Sequence, residues 1–233
     1  MNTRAESPVQ LRVQGILFDM DGILISSIAS VERSWTRWAR LRGVDPALAR
    51  TTAHGRRAVE TVVLLRPDLD AEAELKVIEE IEAADNEGLT VLPGVRELLA
   101  ALPADRWTVV TSATERLTRI RLAAGGISAP QRLVTADSVT RGKPHPEPYL
   151  AGAALLGVSP AACVVFEDSA SGVEAGRNAG CTVVATPFSH PLESLAAAHY
   201  AIRDLAGVRA ETRGDEIALW LTPLADETRP SLY

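Results

Sequence analysis

Apolar runs of strand length recur along the chain at Val13 to Phe18, Trp107 to Val110, Gln131 to Val134, Cys163 to Phe166 and Thr182 to Ala185. They are rich in Val and Ile and show little alternation, the pattern of strands covered on both faces. Helical spacing lies between the later runs, at Glu115 to Ala124, Pro146 to Leu156 and Ser171 to Ala179. Strands alternating with helices predict an α/β fold with a Rossmann-like parallel sheet and helices on both faces.

The rhythm breaks after the first strand. Ile28, Val31, Trp35, Trp38 and Leu41 recur at intervals of three or four, and Gly43 closes that run. Leu75, Ile78 and Ile81 mark a second helix, expected to start after Asp70 and end at Gly88. Residues 26–90 are therefore expected to form a helical cap domain inserted after the first strand, with 1–25 and 91–233 forming the core. Leu92-Pro93-Gly94 returns the chain to that core, and residues 214–222 are expected to form a final strand.

Composition narrows the class. The 233 residues are 46% hydrophobic and 23% charged, ordinary for a globular protein. A net charge of -6 argues against a nucleic-acid partner. No 18-residue apolar run and no apolar signal core at the first residues are found, so the expectation is a cytoplasmic protein without a membrane partner, a monomer. Cys163 and Cys181 sit in or beside apolar runs and are expected to be buried, reduced thiols. Of the 24 basic residues only Lys76 and Lys143 are lysines, so the place given to Lys143 is informative.

In an open parallel sheet ligands bind beyond the carboxyl ends of the strands, and four strand ends here carry reactive groups. After Ile16-Leu17-Phe18 come Asp19-Met20-Asp21-Gly22. Two carboxylates about 4 Å apart at an effective dielectric near 20 repel by roughly 4 kcal/mol, so one is protonated, or a cation sits there, or the turn is simply exposed. A calcium loop also begins Asp-x-Asp, but the preceding helix and later ligands are missing. Thr111 and Ser112 follow Val109-Val110 and suit a phosphate oxygen, although Ser and Thr also serve as ordinary helix caps. Lys143 lies in Arg141-Gly142-Lys143-Pro144-His145-Pro146, stiffened by proline, either a point charge for clustered anions or a solvated loop lysine; His145 reads as a loop residue. Glu167 and Asp168 end the strand Val164-Val165-Phe166 and suit an oxygen-ligand site for Mg²⁺, or a helix cap. Asp19, Glu167 and Asp168 together outweigh Lys143, and a phosphate adds nearly two further negative charges. A divalent cation is the simplest compensation.

An Asp-x-Asp-Gly, a Thr/Ser, a Lys and a Glu-Asp, each at a strand end, resemble the haloacid dehalogenase superfamily in its helical-cap phosphatase and phosphomutase branch. "WTVVTSAT", "GKPHPEPYL" and "VVFEDSASGVEAGRNAGC" are similar to the glycerol-phosphate and 2-deoxyglucose-6-phosphate phosphatases, as are "ERSWTRWARLRGVDP" and "HGRRAVETV" in the insert. The resemblance implies Asp19 as the nucleophile that takes the phosphoryl group and Asp21 as the acid and then base. It implies Mg²⁺ held by the Asp19 side chain, the Asp21 carbonyl and Asp168, with Glu167 acting through water. Thr111 and Ser112 would hold the phosphoryl group and Lys143 would offset its charge. Ile23 departs from the family's threonine, whose hydroxyl helps fix the turn, and slower turnover is expected from that change.

The implied activity is Mg²⁺-dependent hydrolysis of a small sugar or polyol phosphate monoester, with His54, Gly55 and Arg57 as candidate substrate-binding residues. Its main rival is an intramolecular sugar phosphomutase. Dehalogenation is disfavoured because Asp21 supplies an acid that halide leaving groups do not need. A non-catalytic phospho-receiver would lack the inserted helices.

Overall fold

The computed structural model describes residues 8–53 and 56–224. The sequence candidates His54 and Gly55 lie outside the described residues. Five short strands, β2 (Gly15–Phe18), β5 (Trp107–Val109), β6 (Cys163–Glu167), β7 (Thr182–Ala185) and β8 (Tyr200–Ala201), form a parallel sheet in the order β5-β2-β6-β7-β8. The order places β2 between β5 and β6, so the three reactive strand ends are neighbours.

The sheet is covered on both faces because its side chains point alternately up and down. Ile16, Phe18, Val164, Phe166 and Val184 pack on one side with helix α5 (Val95–Ala101) and with Leu122 of helix α6 (Glu115–Ala124). Leu17, Val165 and Val183 pack on the other with helices α7 (Glu147–Leu156) and α8 (Ala170–Asn178). Both cysteines are free and buried in this second layer, as expected.

The insert holds four helices: α1 (Ile28–Arg42), α2 (Pro46–Ala53), α3 (Ala58–Leu65) and α4 (Ala71–Ala83). They enclose a hydrophobic cluster of their own, built on Trp35, Trp38, Ala49, Val62 and Ile78. Asp70 caps α4 by accepting from the main-chain N–H groups of Glu72 and Ala73. The chain enters and leaves the insert through a two-stranded antiparallel ladder, β3 (Ile25–Ser26) against β4 (Thr90–Val91).

Several expectations change. The apolar run from Val13 is two elements: Val13 ends β1 (Val9–Val13), which pairs antiparallel with β10 (Glu216–Leu221). With β9 (Arg209–Arg213) these make a separate three-stranded sheet against the α5 side, so the expected final strand joins β1 and not the parallel sheet. Gln131 to Val134 forms no strand; only Val134 bridges to Val110, because the chain turns away after one residue pair. Leu41 is 57% exposed, since the stripe of α1 that faces the insert's core is centred on Trp35, Trp38 and Ala39. Helix α4 stops at Ala83, short of Gly88. Among the described residues no helix is long and apolar enough to cross a membrane.

Candidate active site

The turn after β2 brings Asp19 and Asp21 to the sheet's carboxyl edge. Gly22 makes this turn possible, with φ +87°, and a Cβ there would lie 1.7 Å from Asp168 Oδ2. Any side chain would collide with Asp168, the acid just after β6, which is the physical content of Asp-x-Asp-Gly at this place.

Asp19, Glu167 and Asp168 are all buried and can each present an oxygen within 4.8 Å of the others. Lys143, 5% exposed, reaches into the cluster from the loop before α7. Its Nζ donates to Asp19 Oδ1 and Glu167 Oε1, each at 2.6 Å, and to the carbonyl of Val110 at 3.2 Å. Burial would lower the lysine's pKa, but the two carboxylates outweigh it and hold the ammonium charged above its ordinary range.

One ammonium does not balance three carboxylates. Burial raises Asp19 to about 7, helped by Glu167 and Asp21 and opposed by Lys143. Burial, then Glu167 and Asp19, raises Asp168 well above the carboxylate range. Burial also works against Glu167, yet Lys143 and the main-chain donors of the next turn keep it below its usual value. An all-oxygen, net negative, buried donor set fits a hard divalent cation, and Asp19 and Asp168 are the members left short of positive charge.

Glu167 is already fully engaged. Its Oε1 accepts from Lys143 and from the Tyr149 hydroxyl at 2.9 Å; its Oε2 accepts from the N–H groups of Asp168 and Ser169, each at 2.8 Å, and from Ser169 Oγ. It thereby fixes the turn that aims Asp168 and anchors Lys143.

Asp21 stands apart from this cluster. Ser27 Oγ donates to its Oδ1 at 2.5 Å and Arg121 Nη1 to its Oδ2 at 2.9 Å. Arg121, 3% exposed, also lies 3.4 Å from Glu82 of α4, so it joins the first turn to the insert. Burial raises Glu82 to about 7 despite Arg121. The sequence patterns do not single out Arg121, Ser27 or Tyr149. A signal for Arg121 existed: it falls on the apolar face of α6 with Leu117, Thr118 and Leu122, where an unpaired arginine is costly.

Thr111 and Ser112 line the cavity above the cluster. Thr111 is buried and its Oγ1 accepts from the Ala113 N–H, holding the turn from β5 toward α6. Arg57 also lines the cavity, but its donors go to Glu60 and to main-chain carbonyls of the loop before Lys143, not into open space. The cavity itself, about 850 Å³, lies between the strand ends and the insert. Ile28, Val31, Trp35 and Leu75 give it an apolar wall, interrupted by Glu32, Arg50, Thr51 and Glu72. Ile23 is not in it: the side chain is buried in the core beside Met20 and Leu24.

The sequence model of the haloacid dehalogenase-like hydrolases matches residues 13–180. Hexitol phosphatase A of Escherichia coli (strain K12) is 42% identical over 180 residues, covering 75% of this chain and 83% of that protein. Glycerol-1-phosphate phosphohydrolase 2 of Saccharomyces cerevisiae is 33% identical over 200 residues, covering 81% of this chain and 80% of the relative. The crystal structure of a hydrolase from Pseudomonas syringae shares the fold with a TM-score of 0.74 at 24% identity, over 82% of this chain and 94% of that one.

Proposed function

The chain belongs to the haloacid dehalogenase-like hydrolases, and from that premise we propose that it is a phosphatase of small sugar or polyol phosphate monoesters that works through an aspartyl-phosphate on Asp19. The observation that carries this reading is the convergence of Asp19, Asp168, Glu167 and Lys143 under one cavity with room for a sugar phosphate. The names of the relatives, a hexitol phosphatase and a glycerol-1-phosphate phosphohydrolase, support the substrate class. We take residues 26–90 as a cap and the remainder as the catalytic core.

Asp19 is the nucleophile. Lys143 holds its Oδ1 and leaves Oδ2 to form the bond to phosphorus. As that bond forms, the bond from phosphorus to the sugar oxygen breaks, and the proton of Asp21 passes to the departing alkoxide. Water then attacks the phosphorus of the aspartyl-phosphate, gives its proton to the Asp21 carboxylate, and the bond to Asp19 breaks to release orthophosphate. The same carboxyl thus serves as acid and then as base. To donate, it takes up a proton and turns from Arg121 toward the leaving oxygen. Thr111, Ser112 and Lys143 hold the phosphoryl oxygens.

Asp19, Asp168 and the main-chain carbonyl of Asp21 would hold Mg²⁺, with Glu167 behind them. The ion would supply the positive charge that draws an anionic ester toward an anionic nucleophile. With substrate in the cavity, the apolar wall of α1 and α4 would exclude water from the reacting carboxylate.

The test is a panel of phosphate esters with Mg²⁺, reading free phosphate, run beside Asp19→Asn. Release from hexitol or glycerol phosphates that vanishes in the variant is the expected result. Release that persists removes Asp19 from its role. Conversion of a sugar 1-phosphate to a 6-phosphate with no free phosphate would transfer the assignment to a phosphomutase.

A further inference from the structure

Arg57 lines the substrate cavity, yet its guanidinium points at the polypeptide. Nη1 donates to the carbonyl of Val139 at 2.9 Å and lies 3.5 Å from that of Ala136; Nη2 donates to the carbonyl of Thr140 at 3.1 Å. Nε donates to Glu60 Oε1 at 2.8 Å, and that same oxygen accepts from the Gly142 N–H at 3.4 Å. A planar fork holding two nearby carbonyls is a geometry lysine cannot reproduce. With its donors so used and its side chain only 14% exposed, a sugar hydroxyl would have to displace a carbonyl to bind it.

The other half of the contact is shaped to receive it. A Cβ on Gly142 would lie 3.0 Å from Arg57 Cγ, 3.1 Å from its Cδ and 3.1 Å from Glu60 Oε1. The stem of Arg57 therefore lies in the space that glycine leaves. The next residue is Lys143, whose Nζ bonds Asp19 and Glu167. From the core side the same loop is held by Glu147, which accepts from the N–H groups of Thr140 and Arg141. The segment that carries the lysine is thus gripped by Glu147 within the core and by Arg57 and Glu60 of the inserted helices.

We propose that Arg57, seated by Glu60 and Gly142, is a positioning residue that docks the insert on the 136–142 loop and so sets Lys143 against Asp19, and that it is not a substrate ligand. The kinetic part rests on the phosphatase reading above; the docking part does not. Because the clamp acts on Lys143, its loss affects every substrate alike, including one too small to reach the cavity's far wall.

The experiment compares Arg57→Met, Arg57→Lys and Gly142→Ala on glycerol 1-phosphate, a hexitol phosphate and acetyl phosphate. Arg57→Met is expected to lower kcat about tenfold or more on all three by the same factor, with KM changing less. Gly142→Ala, which leaves the guanidinium charge in place, is expected to do the same, and the double variant to fall no further than the worse single one. Arg57→Lys is expected to recover only part of the rate. Hydrogen exchange supplies the arm independent of activity: protection of the 140–143 amides is expected to fall in Arg57→Met and Glu60→Gln. Loss confined to the polyol phosphates would overturn the proposal and make Arg57 a substrate ligand. Unchanged rates with a lowered Tm would reduce it to a stabilising contact, and unchanged exchange would remove the clamp altogether. Should the wild type hydrolyse none of the esters, the phosphatase reading fails and the exchange arm alone decides the docking. Should Gly142→Ala not fold, Glu60→Gln takes its place in the kinetic comparison.

Discussion

Replacing Lys143 by methionine keeps most of the unbranched side chain, one atom shorter, and removes the ammonium that bonds Asp19 and Glu167 at 2.6 Å each. At an effective dielectric near 20, each contact of that length is worth at most about 6 kcal/mol in Coulomb energy. Desolvation of the three groups consumes much of this, and removal of one partner from a buried pair typically costs about 3–5 kcal/mol. For a chain of this size each kcal/mol moves Tm by about 2–4 °C, so a fall of about 10 °C is expected. The loss depends on pH. Asp19, raised to about 7 even with Lys143 present, rises further without it. A carboxyl raised in the folded state favours folding below its unfolded pKa, and that advantage is lost as pH rises through the folded value. The deficit of Lys143→Met is therefore greatest above pH 7 and shrinks toward pH 5. Thermal unfolding in chelator at pH 8 and pH 5.5 measures it, and added Mg²⁺ at a hundred times its Kd should return about 2.7 kcal/mol. A deficit below about 1 kcal/mol at pH 8, or one that grows on acidification, would refute the charge argument on which the site rests.

Gly172→Ala places a Cβ 1.7 Å from Glu167 Oε1, so it should displace the carboxylate that anchors Lys143, lower stability by more than about 2 kcal/mol and abolish turnover; denaturant unfolding and phosphate release check both. Glu82→Gln removes a carboxyl that burial raises from 4.5 to about 7. It should add up to roughly 3 kcal/mol at pH 8 and almost nothing near pH 4.5, read as the pH dependence of unfolding. Ile23→Thr puts a hydroxyl into a position 1% exposed among apolar side chains and should cost about 1–3 kcal/mol by the same assay. If its kcat is unchanged, the hydroxyl of the family's threonine has no part in turnover here.

Much of the site is legible in the sequence because its logic is local. A buried strand that ends in Asp19-Met20-Asp21-Gly22, or in Glu167-Asp168, carries its chemistry at the place where side chains leave the sheet. The same holds for the helical insert, whose α1 stripe and Asp70 cap are written in residues three or four apart. Partnerships across the chain are not local. Arg121 meets Asp21 one hundred positions away, and Tyr149 meets Glu167 across a helix and a strand. Arg57 reads from its neighbours as a candidate substrate ligand, and only the folded loop at 136–142 shows where its donors go.

The sequence by itself determined the alternation of strand and helix, the helical insertion after the first strand of the parallel sheet, the acids and hydroxyls at strand ends and the lysine in its proline-stiffened loop, because each depends on spacing within one element. Tertiary structure alone decided that β1 leaves the parallel sheet for β10, that 131–134 yields a single bridge, and which acids share one ammonium. Pairing of strands and of charges is chosen by burial against distant parts of the chain, and no window of neighbouring residues contains that choice.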